Sequence, residues 1–135
     1  MRRVGYPFCS GVKYESETHD PPAPFLSVRV THPLYHERFI EIPAKVDSGA
    51  DVIAIPVEAV NQLGLQKAGS LTVAGFNGQA VQVVLYAVRI ELPTNKAVRM
   101  TALTIPSNYV LVGRDVLNSL RVLLDGPELT LEILQ

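Results

Sequence analysis

Leu26, Val28 and Val30 alternate with Ser27, Arg29 and Thr31 across Phe25–Thr31, the period of two expected of a half-buried strand. Thr31 to Glu37, containing His32-Pro33 and His36, reads as a connecting turn, and Arg38–Val46 as the returning strand, with Ile42, Ala44 and Val46 on one face. Val52, Ile53 and Ile55 form a second apolar run after a break at Ser48-Gly49. Val57–Gly64 follows Pro56 and closes on glycine, the signature of a short helix. Leu71–Gly75 and Gln79–Leu92 are β-rich runs around Phe76-Asn77-Gly78, a strong hairpin signal. Val98–Ile105 and Tyr109–Val112 read as further strands separated by Pro106-Ser107-Asn108. The spacing of Val116, Leu117, Leu120 and Leu124 predicts a helix over Arg114–Leu123, ended by Asp125-Gly126-Pro127. Glu128–Leu134 alternates Leu129, Leu131 and Ile133 with Thr130 and Glu132, a terminal strand expected to leave an edge to be paired.

Before Phe25 the pattern fails. Pro7, Gly11, Pro21, Pro22 and Pro24 punctuate residues 1–24, which read as an irregular arm on a single domain spanning 25–135; Tyr6, Phe8 and Val12 are its candidates for docking.

Composition narrows the picture. The chain has 135 residues, enough for one buried core, and 47% of them are hydrophobic with no Trp, so the core is aliphatic. Twelve Lys and Arg stand against thirteen Asp and Glu, and the absence of a basic stripe argues against nucleic acid as a ligand. The single cysteine, Cys9, fits a reducing compartment, has no base nearby and is not read as a nucleophile. Met1-Arg2-Arg3 is followed by no apolar run of signal-peptide length, and no stretch approaches the length of a membrane span, so a cytoplasmic protein is expected. His32 and His36 are four apart, but Pro33 argues against a helix that would pair them on a metal, and solvated loop histidines are expected. No metal or other cofactor is implied.

The candidate chemistry lies at Val46-Asp47-Ser48-Gly49-Ala50-Asp51-Val52-Ile53. Asp-Ser-Gly between strands is by itself ordinary turn sequence. Here both flanks are apolar, and a carboxylate pressed into such surroundings is unfavourable unless hydrogen-bonded or shifted in pKa, conditions that recur at functional sites.

Asp47-Ser48-Gly49-Ala50-Asp51 resembles the Asp-Thr/Ser-Gly-Ala signature of retropepsin-like aspartic proteases, the single-domain relatives of pepsin. Val110-Leu111-Val112-Gly113-Arg114-Asp115-Val116-Leu117 is similar to the apolar-apolar-Gly-Arg-Asn/Asp-Leu-Leu segment preceding that family's C-terminal helix. Two motifs in this order, with room between them for a flap, are more specific than either alone. The resemblance implies an all-β acid-protease fold: a closed, barrel-like half with a flap hairpin and one short C-terminal helix.

It also implies roles. Asp47 would be the catalytic carboxylate, Ser48 would hydrogen-bond across a dimer axis, and Gly49 would offer its backbone to substrate. Ala50, Asp51, Tyr109 and Leu111 would line the substrate groove, with Gly75, Phe76, Asn77 and Gly78 as the flap above it; Tyr109 is equally read as core. Asp51 would pair with Arg114, beside Gly113, to brace the loop. Aspartic peptidases need two carboxylates and this chain carries one such motif, so the resemblance implies a homodimer acting on extended polypeptides. A non-catalytic dimerisation or peptide-binding module on the same fold is the alternative reading. A third is a form held latent by its own arm.

Overall fold

A computed structural model describes residues 3–4 (backbone), 11–75 and 77–134. Cys9, Tyr6 and Phe8 lie outside the described residues. The main sheet is built from β3 (Phe25–Thr31), β4 (Phe39–Val46), β5 (Ala54–Pro56), β6 (Lys67–Ala74), β7 (Ala80–Glu91), β8 (Ala97–Ile105) and β9 (Val110–Val112). Two strands precede these, β1 (Arg3–Val4) and β2 (Val12–Lys13), and two follow, β10 (Arg121–Asp125) and β11 (Thr130–Leu134). Helices α1 (Val57–Leu63) and α2 (Arg114–Leu117) are short.

In the main sheet the order is β3-β4-β9-β5-β8-β7-β6, and β3 also pairs with β7 through Arg29–Thr31. That extra pairing closes six strands into a ring and leaves β6 outside it. Alternation in β3 is what permits closure, because Leu26, Val28 and Val30 point inward and are buried. They meet Ala44, Ile53, Ile55, Val88, Ile90, Val110, Val112 and Val116 in one aliphatic core.

β7 divides in function along its length. Its second half belongs to the ring, pairing with β8 over Tyr86–Glu91, while its first half leaves the ring and pairs only with β6, from Ala80 to Tyr86. The projecting β6–β7 hairpin is the flap-like element the sequence predicts. α1 also forms where expected; Gly64 ends it at φ 67, the left-handed conformation that glycine takes most readily.

Three expectations are corrected. The helix over Arg114–Leu123 stops after Leu117, and Arg121–Asp125 is a strand instead. Residues 121–134 satisfy a hairpin pattern as well as a helical one, and pairing with β11 along the whole of β10 decides the competition. Asp125-Gly126 is its turn: Asp125 Oδ1 accepts from Glu128 N at 3.2 Å, and Gly126 O from Leu129 N at 3.1 Å. Secondly, β11 leaves no edge open, because β10 takes one side and β1 and β2 take the other. Thirdly, His32 is a buried residue and not a solvated one: its Nδ1 accepts from the backbone N–H groups of Leu34 and Tyr35, each at 3.1 Å, and shapes the β3–β4 turn.

The segment before β3 is more ordered than its prolines imply. Val12 pairs with Leu131, and Glu15 bridges Ala23. Between those last two residues the chain turns around the Glu15 carboxylate, which accepts from Thr18 Oγ1 (2.7 Å), Thr18 N and Glu17 N and lies 2.9 Å from His19 Nδ1. The Thr18 hydroxyl first, and His19 second, hold the Glu15 carboxyl down at about 2, from an ordinary value of 4.5. A carboxyl depressed by folding stabilises the fold above its unfolded value and ceases to do so as pH falls through its folded one. The turn is therefore expected to be intact above about pH 4.5 and to loosen as pH approaches 2. An NMR titration of the Thr18 amide checks this: a midpoint near 4.5 would show that these bonds do not persist in solution.

Candidate active site

β9 is the element on which the site is hung. It pairs in parallel with β4 (Ala44↔Val110, Val46↔Val112) and, on its other side, in antiparallel with β5 (Ala54↔Leu111). The chain between Val46 and Ala54 therefore leaves one side of β9 and returns on the other, so Asp47–Ile53 must loop around its end. Asp47 begins that loop, its N–H donating to Val112 O at 3.0 Å as a continuation of the β4–β9 ladder.

Local bonds close the loop. Asp47 Oδ1 accepts from Gly49 N at 3.0 Å, and Asp47 O from Ala50 N at 3.2 Å, an Asx-type turn that suits Asp before Ser-Gly. Among the described residues Asp47 Oδ2 has no hydrogen-bond partner. The side chain is half-buried, whereas Ser48 and Gly49 are exposed.

Longer-range bonds fix the loop to the start of α2. Arg114 N donates to Ala50 O at 2.8 Å, Arg114 Nη1 to Ser48 O at 2.7 Å, and Arg114 Nη2 to Asp51 Oδ1. The expected Asp51–Arg114 pair thus forms, on an exposed surface. Gly113 is buried against this loop: a Cβ there would lie 2.9 Å from Ala50 O and 3.0 Å from Val52 C. One more brace escaped the sequence reading. Asp115 Oδ2 accepts from Ile53 N at 3.0 Å, tying α2 to the point where the loop re-enters the sheet. Its place in Gly-Arg-Asp was the available signal, since an acidic residue in the first turn of a helix is well placed to face backbone donors.

At the hairpin, Gly75 N donates to Gln79 O at 2.9 Å, Gln79 N to Asn77 Oδ1 at 3.1 Å, and Gly78 stands at φ 76. Gly75, Asn77 and Gly78 are exposed, and Phe76 lies outside the described residues. Val73, Val83, Tyr86, Leu103 and Ile105 line an apolar recess of about 340 Å³ where the hairpin meets β8; Asp47 is not among its lining residues. Leu111 is half-buried on β9. Tyr109 is packed edge-on against Phe25 (5.4 Å between centroids) and against His19 of the preceding segment (5.6 Å). The structure thus gathers Asp47 to Asp51 with Gly113 and Arg114 in one place and sets the hairpin residues on a separate projection. Among the described residues no three His, Cys, Asp or Glu side chains come together as a metal site. No helix among them is long and apolar enough to cross a membrane.

No protein-family model matches the sequence, and no curated protein matches it. Solved structures do match in shape. A retropepsin-like aspartic protease from Rickettsia conorii superposes with a TM-score of 0.57 at 16% identity, over 86% of this chain and 84% of that one. The EIAV protease, solved with the inhibitor HBY-793, gives 0.54 at 19% identity, over 80% and 93%. The simian foamy virus (mac) protease gives 0.50 at 15% identity, over 69% and 92%. At such identities the likeness is one of fold.

Proposed function

From this retropepsin-like fold we propose that the chain is an aspartic endopeptidase that works as a homodimer, hydrolysing peptide bonds in extended polypeptides. The observation carrying the reading is the placement of Asp47. It stands where β4 ends, one carboxylate oxygen held by the Gly49 N–H and the other without a partner among the described residues, in a loop braced by Arg114 and Asp115.

Hydrolysis of an amide by water needs one group to take a proton from the water and another to polarise or protonate the carbonyl. Two Asp47 carboxylates, one from each copy across a twofold axis, meet both needs. Close together they cannot both be ionised, so they share one proton; the ionised member activates water and the protonated member donates to the carbonyl oxygen. In this reading Ser48 bonds across the axis and Gly49 presents its backbone to substrate. Ala50, Asp51 and Leu111 line the groove, with Tyr109 at its margin, and the hairpin that carries Gly75, Asn77 and Gly78 closes over the peptide. The apolar recess by the hairpin favours apolar residues around the scissile bond. A reducing, cytoplasmic setting suits a chain with one cysteine.

Arg114→Ala is expected to lower kcat/KM by roughly 10²-fold, since small misplacements of reacting groups have effects of that size. Global stability should change little, because the pair with Asp51 is largely exposed (46% and 79%). The dimer should also weaken. Wild-type cleavage and dimerisation in this variant would refute the bracing role.

Cleavage of a mixed peptide library from mildly acidic to neutral pH, beside the Asp47→Asn chain, tests the proposal as a whole. Cutting by the wild type alone supports it. Cutting by both chains points to another mechanism, and silence from a verified dimer favours the non-catalytic module.

A further inference from the structure

Resting on the peptide groove of the proposed function, we infer that the turn of residues 15–23 is an end wall of that groove, with His19 the positioning residue that sets the Tyr109 ring for substrate. Strand register puts these groups on one face of the main sheet. Residues paired directly across strands share a face, and along a strand the faces alternate. Lys45 pairs with Phe25 on one side and Leu111 on the other, and Asp47 continues the β4–β9 ladder two residues on. Tyr109 precedes Leu111 by two. Phe25, Lys45, Asp47, Leu111 and Tyr109 thus belong to the face opposite the one that carries the core residues Leu26, Ala44, Val110 and Val112. Extended by one residue, the register sets Tyr109 beside Pro43, four residues before Asp47, a span of about 13 Å along the strand.

On that outer face Phe25 is nevertheless only 8% exposed, because the turn closes over it. His19 lies edge-on to Phe25 at 4.9 Å between centroids and to Tyr109 at 5.6 Å, and with the Phe25–Tyr109 contact the three rings form a closed cluster. The turn is built to keep His19 there. Its ends are joined by Glu15 N to Ala23 O at 2.8 Å and Ala23 N to Glu15 O at 3.0 Å. Within it, the Glu15 carboxylate that Thr18 binds lies 2.9 Å from His19 Nδ1 and restrains the imidazole. The Tyr109 backbone is fixed separately, its carbonyl accepting from Ser107 Oγ at 2.7 Å, so the direction of the ring is the freedom that His19 removes. A ring held before the peptide arrives contributes to binding without an ordering cost at that moment.

The test is peptide affinity of the full Asp47→Asn chain, which is expected to bind without cutting, read by fluorescence anisotropy with labelled apolar peptides lengthened symmetrically. Affinity is expected to step up where the peptide reaches about four residues from its centre, the span from Asp47 to Tyr109. His19→Ala should remove that step, a loss of roughly three- to tenfold, and leave the shortest peptides unaffected. Tyr109→Ala should remove the same step, and the double variant should lose no more than either alone, since both act through one ring. His19→Phe keeps an edge-on ring and should restore the step. Folding of each variant is checked by circular dichroism. Equal losses at every length, or additive losses in the double variant, would overturn the positioning role. Tighter binding of long peptides by His19→Ala would also overturn it, because the turn would then be an obstruction. A His19-dependent step beside a parent chain that cuts nothing would remove the peptidase and leave the wall standing, whereas failure to bind any peptide would overturn wall and groove together.

Discussion

Asp47→Asn is expected to lower peptide cleavage by roughly 10²–10⁴-fold, while the melting temperature and the dimer stay close to wild type. The substitution keeps the shape of the side chain. An amide oxygen can still accept from Gly49 N, the bond that now spans 3.0 Å, so the loop keeps its closure. What disappears is the exchange of protons: an amide neither takes a proton from water nor passes one to a carbonyl at these pH values. Turnover measured beside calorimetry and sedimentation separates the possibilities. A variant that loses its fold along with its activity would make Asp47 a structural residue, and one that still cuts would remove it from the chemistry altogether.

The second large effect is expected at Gly113→Ala. The backbone there is extended (φ −89, ψ −175), which alanine adopts without strain, so the difficulty is space. An added methyl would meet Ala50 O at 2.9 Å, Val52 C at 3.0 Å and Val52 N at 3.1 Å, all backbone atoms with no side-chain freedom to yield. Overpacking of this kind costs roughly 1–3 kcal/mol, which lowers Tm by several degrees in a domain of this size. Cleavage should suffer more than stability, because relief comes from pushing away the loop that begins at Asp47. Gly126→Ala is the control: nothing lies within 4 Å of its added Cβ. Equal melting and equal activity for the two variants would show that the contact at Gly113 does not position the loop.

These two residues were legible in the sequence because short motifs carry them, and the motifs are local. So were β3, whose alternation is strict, and the hairpin around Asn77-Gly78. The helix expected over Arg114–Leu123 failed for a physical reason. Val116, Leu117, Leu120 and Leu124 fit a helical stripe, yet Val122 and Leu124 equally fit one face of a strand, and only β11 arriving from residues 130–134 settles the matter. The Asp115–Ile53 brace and the β2–β11 pairing join residues far apart in the chain, and no window of sequence contains both partners. His32 was misread because its polar ring accepts from backbone two and three residues ahead, which allows a histidine to be buried in a turn.

The wiring of the terminal sheet has a consequence for the order of assembly. Arg3 and Val4 pair with Leu134 and Ile133, and Val12 with Leu131, so the first strands of this chain wait for almost its last residues. Contacts of such separation close slowly, since the loss of loop entropy precedes any reward. During synthesis the ring of β3 to β9 has all its strands before β11 is made, and until then β10 has neither neighbour nor register. The β10–β11 hairpin is thereby expected to form after the ring of β3 to β9, whose strands all precede it in the chain.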